Sequence, residues 1–238
     1  MGYTAYFRPG MEDLNPDRTV KNRSLLRMCE DTAGFHTDSV GDGLTVMDRT
    51  GYAWILLAWQ LQVYERPCYG QKLTVSTWPR QMARVHAWRD FAIKDEQGQL
   101  LAEATSKWIV VSALDHAVMK IPAHMADLYP EEPGGGLSGW RPARPAIPER
   151  AEREEIRTIR RSRTDMLGHL HNLCYLDLAE DLLPESAGAP GRLNHVTIQY
   201  KTEIRADEDV RLMYCAENGR YAVTVAGEGG LCAQIEMW

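Results

Sequence analysis

The sequence has no C-x-x-C pair among its five cysteines, Cys29, Cys68, Cys174, Cys215 and Cys232. An odd number without paired spacing argues against a disulfide framework and predicts reduced thiols in a cytoplasmic protein. Basic charge is scarce too. The formal net charge is -6 over 238 residues, so no global positive field favours nucleic acid as a partner. The segment Met1 to Pro9 lacks the charged-then-apolar layout of a signal peptide. The longest apolar runs, such as Ala53 to Trp59 and Trp108 to Leu114, are too short to span a bilayer, so no membrane span is expected. A Gly-rich phosphate loop, a G-x-S-x-G elbow and a dinucleotide fingerprint are all missing. Asp115, His116, His124, His169 and His171 show no metal-ligand spacing. Neither a cofactor nor a metal is predicted.

What is present is enough apolar residue, 44% of the chain, for one large core or two smaller ones. Tyr3 to Arg8 reads as a short strand, followed by a Pro-, Gly- and Asp-rich loop. Asn22 or Ser24 can cap a helix that carries Leu25, Leu26, Cys29, Ala33 and His36 on one face and fades near Gly41 to Gly43. His36 on that face is expected to be a core histidine. Strands follow at Tyr52–Tyr64, Lys72–Trp78, Val85–Lys94 and Leu100–Ser112. The stretch 126–154, rich in Pro and Gly, reads as a linker with Trp140 as an anchor. The same order then returns: a strand at Ile156–Thr164, a helix from about His171 to Leu183, and strands at Leu193–Ile204, Val210–Glu217, Arg220–Ala226 and Leu231–Trp238. Asn218-Gly219 is a hairpin turn. The repeated order predicts an α+β fold of two tandem hotdog units, each a long helix wrapped by an antiparallel β-sheet, over 1–125 and 155–238, with two independent α+β domains on a flexible linker as the runner-up.

The stretch Arg163 to Pro184 joins a polar turn to the second helix, which Pro184 stops. Asp165, Gly168, His169, His171 and Asn172 form a polar turn, and Tyr175, Leu176, Ala179, Leu182 and Leu183 follow on one helical face. A charge, a proton carrier and helix-start amides meet there, which suits a developing oxyanion. An ordinary buried helix behind a polar loop gives the same pattern.

The chain resembles the acyl-[acyl carrier protein] thioesterases in their bacterial form. The first half carries Trp54, Arg66-Pro67 with Gly70, Thr77-Trp78-Pro79, Arg89-Asp90-Phe91, and Ser106-Lys107-Trp108. The second carries Asp165-Met-Leu-Gly-His169-Leu-His171-Asn172, where the family has Asp-x-Asn-x-His-Val-Asn-Asn. The resemblance implies Asp165 and His169 as catalytic-loop residues, Asn172 as the second paired asparagine, and Glu203 as a catalytic carboxylate. Three positions depart: Leu167 replaces an asparagine, His171 replaces the first paired asparagine, and Ile204 stands where plant members have a cysteine.

On this reading the activity is hydrolysis of an acyl thioester on acyl carrier protein. Hydrolysis of acyl-CoA, or acyl binding without turnover, are the alternatives. Glu203, placed on a strand and desolvated beside Ile204, is expected to act as general base. His169 would orient the water, Asp165 the loop, and amides near His171 and Asn172 would hold the oxyanion. The resemblance also implies an acyl chain running into the first unit, with a homodimer possible. Arg157, Arg160, Arg161 and Arg163 are the expected dock for the acidic carrier.

Overall fold

The structure, a computed structural model, describes residues 2–43, 50–132, 151–188 and 193–238. The chain divides into two compact units, Met1–Leu57 with Leu61–Trp140, and Ala58–Gln60 with Arg141–Trp238.

The first unit contains β1 (Tyr3–Phe7), α1 (Asn22–Ser39), β2 (Tyr52–Val63), β3 (Leu73–Met82), β4 (His86–Lys94), β5 (Leu100–Ser112), β6 (Val118–Met119) and α2 (Met125–Leu128). Its sheet runs β1-β3-β4-β5-β2, with β6 on β5. The β1–β3, β3–β4 and β4–β5 pairs are antiparallel. Helix α1 packs on β1 and β3 and buries Leu25, Leu26, Met28, Cys29, Ala33 and His36. Each Leu taken fully out of water stabilises the unit by roughly 1.5–3 kcal/mol. That burial holds a helix whose cap position is Lys21, with no side-chain cap bond. The capping expected from Asn22 or Ser24 is absent because both side chains lie inside the helix and are buried. His36 is a core residue, as expected, and Arg89 Nη1 lies 2.9 Å from its Nδ1.

The second unit contains β7 (Arg153–Thr158), α3 (Cys174–Glu180), β8 (His195–Tyr200), β9 (Asp209–Glu217), β10 (Arg220–Gly227) and β11 (Gly230–Met237). Its order is β8-β11-β10-β9-β7, antiparallel throughout. Asn218 (φ 51°) and Gly219 (φ 78°) turn β9 into β10, the left-handed pair a tight hairpin needs. Helix α3 packs on β9, β10 and β11. It is shorter than the spacing predicts, 7 residues against 18 for α1. Both ends tighten into three-residue turns instead: Cys174 N donates to His171 O, Leu182 N to Ala179 O and Leu183 N to Glu180 O, the 3-10 pattern that competes with a longer helix.

The first strand of this unit starts earlier than expected, at Arg153, and stops at Thr158. Arg161–Arg163 are a 3-10 turn. Of the expected linker, residues 133–150, including Trp140, lie outside the described residues. Its first part is packed chain: Tyr129 is buried in one cluster with Tyr52, Val110 and Met125.

Candidate active site

The polar turn of the second unit closes by its own backbone. Asp165 N donates to His169 O (2.8 Å) and Gly168 N to Asp165 O (3.1 Å). Gly168 takes φ +79°, with open space where a side chain would begin. The left-handed conformation, not crowding, is what favours glycine here. Asp165 Oδ1 accepts from Leu167 N at 2.8 Å and from His169 N at 3.2 Å. This is an Asx turn, in which a carboxylate stands in for a backbone carbonyl. Asp165 therefore holds the loop backbone.

A second set of bonds brings the partner carboxylate. Leu170 N donates to Ile204 O at 2.7 Å, and His169 bridges to Arg205. These contacts lay the turn against residues 201–205, and His169 Nδ1 meets Glu203 Oε2 at 3.2 Å. The imidazole is largely enclosed, its side chain 18% exposed, whereas the Glu203 side chain is 58% exposed. The placement of Glu203 on a strand and its desolvation are thus corrected. β8 ends at Tyr200, and the carboxylate stands in an open turn. Exposed to that degree, the pair adds little to stability. Its value is geometric: an Nδ1–H directed at Glu203 leaves the free lone pair on Nε2.

His171 and Asn172 lie between this turn and α3. Of the expected helix-start amides, that of His171 is occupied, as is that of Leu173 beyond it. His171 N donates to Arg163 O at 3.0 Å, and Leu173 N to His171 Nδ1 at 3.3 Å. The carbonyl of Asn172 accepts from the Tyr200 hydroxyl at 2.9 Å. Sequence reasoning passed over Tyr200, although a tyrosine three residues before the implicated glutamate could have drawn notice. Leu167 projects from the turn tip, 54% exposed, beside Met166 at 71%. The turn uses the backbone amide of Leu167 rather than its side chain.

The arginines proposed as a dock are partly neutralised. Arg157 pairs with Glu155 and Asp181, and Arg161 with Asp207. The Nη1 of Arg163 is buried with no partner among the described residues. No group of three or more potential metal ligands occurs among the described residues. Nor is any described helix long and apolar enough to cross a membrane.

Residues 3–129 match the acyl-ACP thioesterase N-terminal domain, and residues 148–228 match the acyl-ACP thioesterase C-terminal domain. Oleoyl-acyl carrier protein thioesterase 1, chloroplastic, of Arabidopsis thaliana is 23% identical over 229 residues, covering 88% of this chain and 62% of that relative. The chain thus spans under two thirds of that protein's length. A solved acyl-ACP thioesterase from Bacteroides thetaiotaomicron has a TM-score of 0.90 at 19% identity, covering 99% of this chain and 96% of that one. The 12:0-ACP thioesterase from Umbellularia californica gives 0.87 at 18%, with coverage of 99% and 96%. At such identities the two structures speak for the fold, which is the expected pair of hotdog units. The sequence matches reach through both units and include the turn that carries Asp165 and His169, and on that ground the chain belongs to the acyl-ACP thioesterase family.

Proposed function

We propose that this protein hydrolyses an acyl thioester carried on acyl carrier protein and releases a free fatty acid. The observation that carries the reading is the His169 Nδ1–Glu203 Oε2 contact, fixed by backbone bonds on both sides. Glu203 orients the imidazole and stabilises its charged form. His169 Nε2 takes a proton from water as that water attacks the thioester carbon. The side chains of His171 and Asn172 bind the carbonyl oxygen as it becomes an oxyanion. The C–S bond then breaks, and the thiolate takes the proton from His169 or from solvent. Asp165 holds the turn on which His169 stands. This division of labour moves the base from Glu203 to the imidazole, because Glu203 is on the far side of the ring from the reacting water.

The substrate, the carrier and the cytoplasmic setting are parts of the same reading, as is a possible homodimer. All five cysteines are free, in keeping with a reducing compartment. The first unit offers an open pocket of about 300 Å³ whose walls include Met82, Ile121, Pro122, Ala126 and Tyr129, and we assign the acyl chain to that unit. Free-thiol release from a panel of acyl carriers tests the proposal. Release from acyl carrier protein supports it. Release from CoA alone reassigns the substrate, and tight acyl binding without turnover overturns the enzymatic reading.

A further inference from the structure

The two units repeat one another bond for bond around the loop, and this fixes which residues correspond. Val20 N donates to Pro67 O as Leu170 N does to Ile204 O; Tyr64 N and Glu65 N donate to Leu101 O as Lys201 N and Thr202 N do to Cys232 O. Val63 therefore corresponds to Tyr200, Leu101 to Cys232, and, counting along the loop into the helix, Leu25 to Tyr175. In the first unit the trio is plain core: Leu25 is 0%, Val63 2% and Leu101 1% exposed. In the second unit the same places beneath the loop hold two phenols and a thiol.

The fold does not need these polar groups, since its other copy packs hydrocarbon there. They are costly to enclose, because a buried hydroxyl must find a partner. Tyr200 has one, donating to the Asn172 carbonyl at 2.9 Å. Its ring meets that of Tyr175 edge to face, centroids 5.4 Å apart, a favoured aromatic geometry. Tyr175 is 3% exposed, yet its hydroxyl makes no hydrogen bond among the described residues. Burial pushes that phenol well above its usual range, with Cys232, Glu203, Glu208 and Asp165 pushing in the same direction. The group is a donor whose ring packs on that of Tyr200, the residue bonded to the loop at Asn172.

We propose that Tyr175 donates a hydrogen bond to the reacting oxygen, that of the water or of the thioester carbonyl, and that Tyr200 is the positioning residue that fixes the Asn172 side of the loop. The inference rests on the hydrolytic reading above. It assigns to the helix an oxygen-binding hydroxyl that the occupied amides of His171 and Leu173 do not supply.

The test uses the full chain with acyl-[acyl carrier protein] as substrate, and His169→Ala as the control for the site itself. Tyr175→Phe and Tyr200→Phe keep the rings and remove only the hydroxyls. Each is expected to lower kcat about tenfold or more, with KM within about twofold, because misplaced reacting groups cost rate rather than binding. Their Tm should stay within about 2 °C of the parent. The double variant Tyr175→Leu/Tyr200→Val, which installs the first unit's residues, should lower kcat by about a hundredfold while remaining folded. If both Phe variants turn over like the parent while His169→Ala is inactive, the inference is overturned and the hydrolytic site stands. If kcat falls only together with Tm, the tyrosines are structural and the inference again fails. If His169→Ala is itself fully active, the site assignment is what fails. Should the double variant not fold, the Phe pair alone decides.

Discussion

The loop from Met11 to Asn22 and the loop from Arg161 to Asn172 have one backbone and two chemistries. Both begin in a 3-10 turn. Both close through a matching bond, Asn15 N to Thr19 O and Asp165 N to His169 O, each 2.8 Å. Both place a left-handed residue at the same step, Arg18 at φ 68° and Gly168 at φ 79°. What differs is the side chains hung on this frame. In the first loop Asp17 Oδ1 accepts from the Thr19 hydroxyl and amide, at 2.6 and 3.0 Å, and these bonds hold its carboxyl below the usual range. Arg66, the counterpart of Glu203, closes on the Val20 carbonyl at 3.0 Å. These bonds tie Asp17 and Arg66 back onto the loop itself. In the second loop a histidine replaces Thr19 and a glutamate replaces Arg66, and the two meet at 3.2 Å with only the glutamate open to solvent. The frame is a structural solution used twice; the His169–Glu203 pair needs two exchanged side chains.

The sharpest way to break this comparison is to remove the pair. His169→Ala and Glu203→Gln should each lower kcat on a carrier-bound acyl thioester by roughly a hundredfold or more, while Thr19→Ala leaves it within about twofold. Equal losses from both loops in steady-state assays would show that the first is also reactive.

A second contrast lies in the helices that follow. α1 runs far enough to bury His36, whereas the corresponding Ser186 is exposed beyond the end of α3. Burial, with help from the Arg89 guanidinium, pushes His36 down to about 4. Between that value and its ordinary one near 6.5 the unfolded chain holds the extra proton. Stability is therefore fully present above about pH 6.5 and is lost as pH falls toward 4, by about 1 kcal/mol per unit. Melting temperatures recorded from pH 4 to 7 should show this slope, and His36→Gln should flatten it. A slope that persists in the variant would place the responsible group elsewhere.

Two smaller effects sharpen the loop comparison. Leu167→Asn should raise turnover by up to about tenfold, since it returns a hydrogen-bonding side chain to the rim of the site; an unchanged kcat would show that only the backbone of Leu167 matters. Exchanging the left-handed residues should act with opposite signs. Gly168→Ala should destabilise by about 1 kcal/mol, and Arg18→Gly should be neutral or stabilising by less than that. Denaturant midpoints measure both, and shifts of the same sign would contradict the shared turn geometry.

Much of the fold could be read in the sequence because period and punctuation are strong where burial is one-sided. The strand read at Leu100–Ser112 is the observed β5, and the Asn218-Gly219 turn is where its residues require it. The spacing overextends the second helix because Leu182 and Leu183 continue a helical stripe past Glu180. Spacing cannot see that Leu182 N and Leu183 N are drawn into three-residue turns. Residue identity carried the candidate site only in part. Asp165 and His169 share one turn, and local sequence reports that. Glu203 reaches them through the pairing of Leu170 with Ile204, a contact set by tertiary structure. Its exposure, and the hydrogen bond from Tyr200 to Asn172, follow from where β8 stops and have no local signature.

The strand orders have a consequence for how the site comes into being. In each unit the first strand, β1 or β7, pairs with a strand from much later in the chain, β3 or β9. Contacts of that kind form late, because a long loop must close before any bond rewards it. The segment enclosed between β7 and β9 contains both His169 and Glu203. A nascent second unit can thus own its turn, its helix and its hairpin while remaining inert. Recovery of activity during refolding should track the closure of β7 onto β9 rather than the earlier gain of secondary structure.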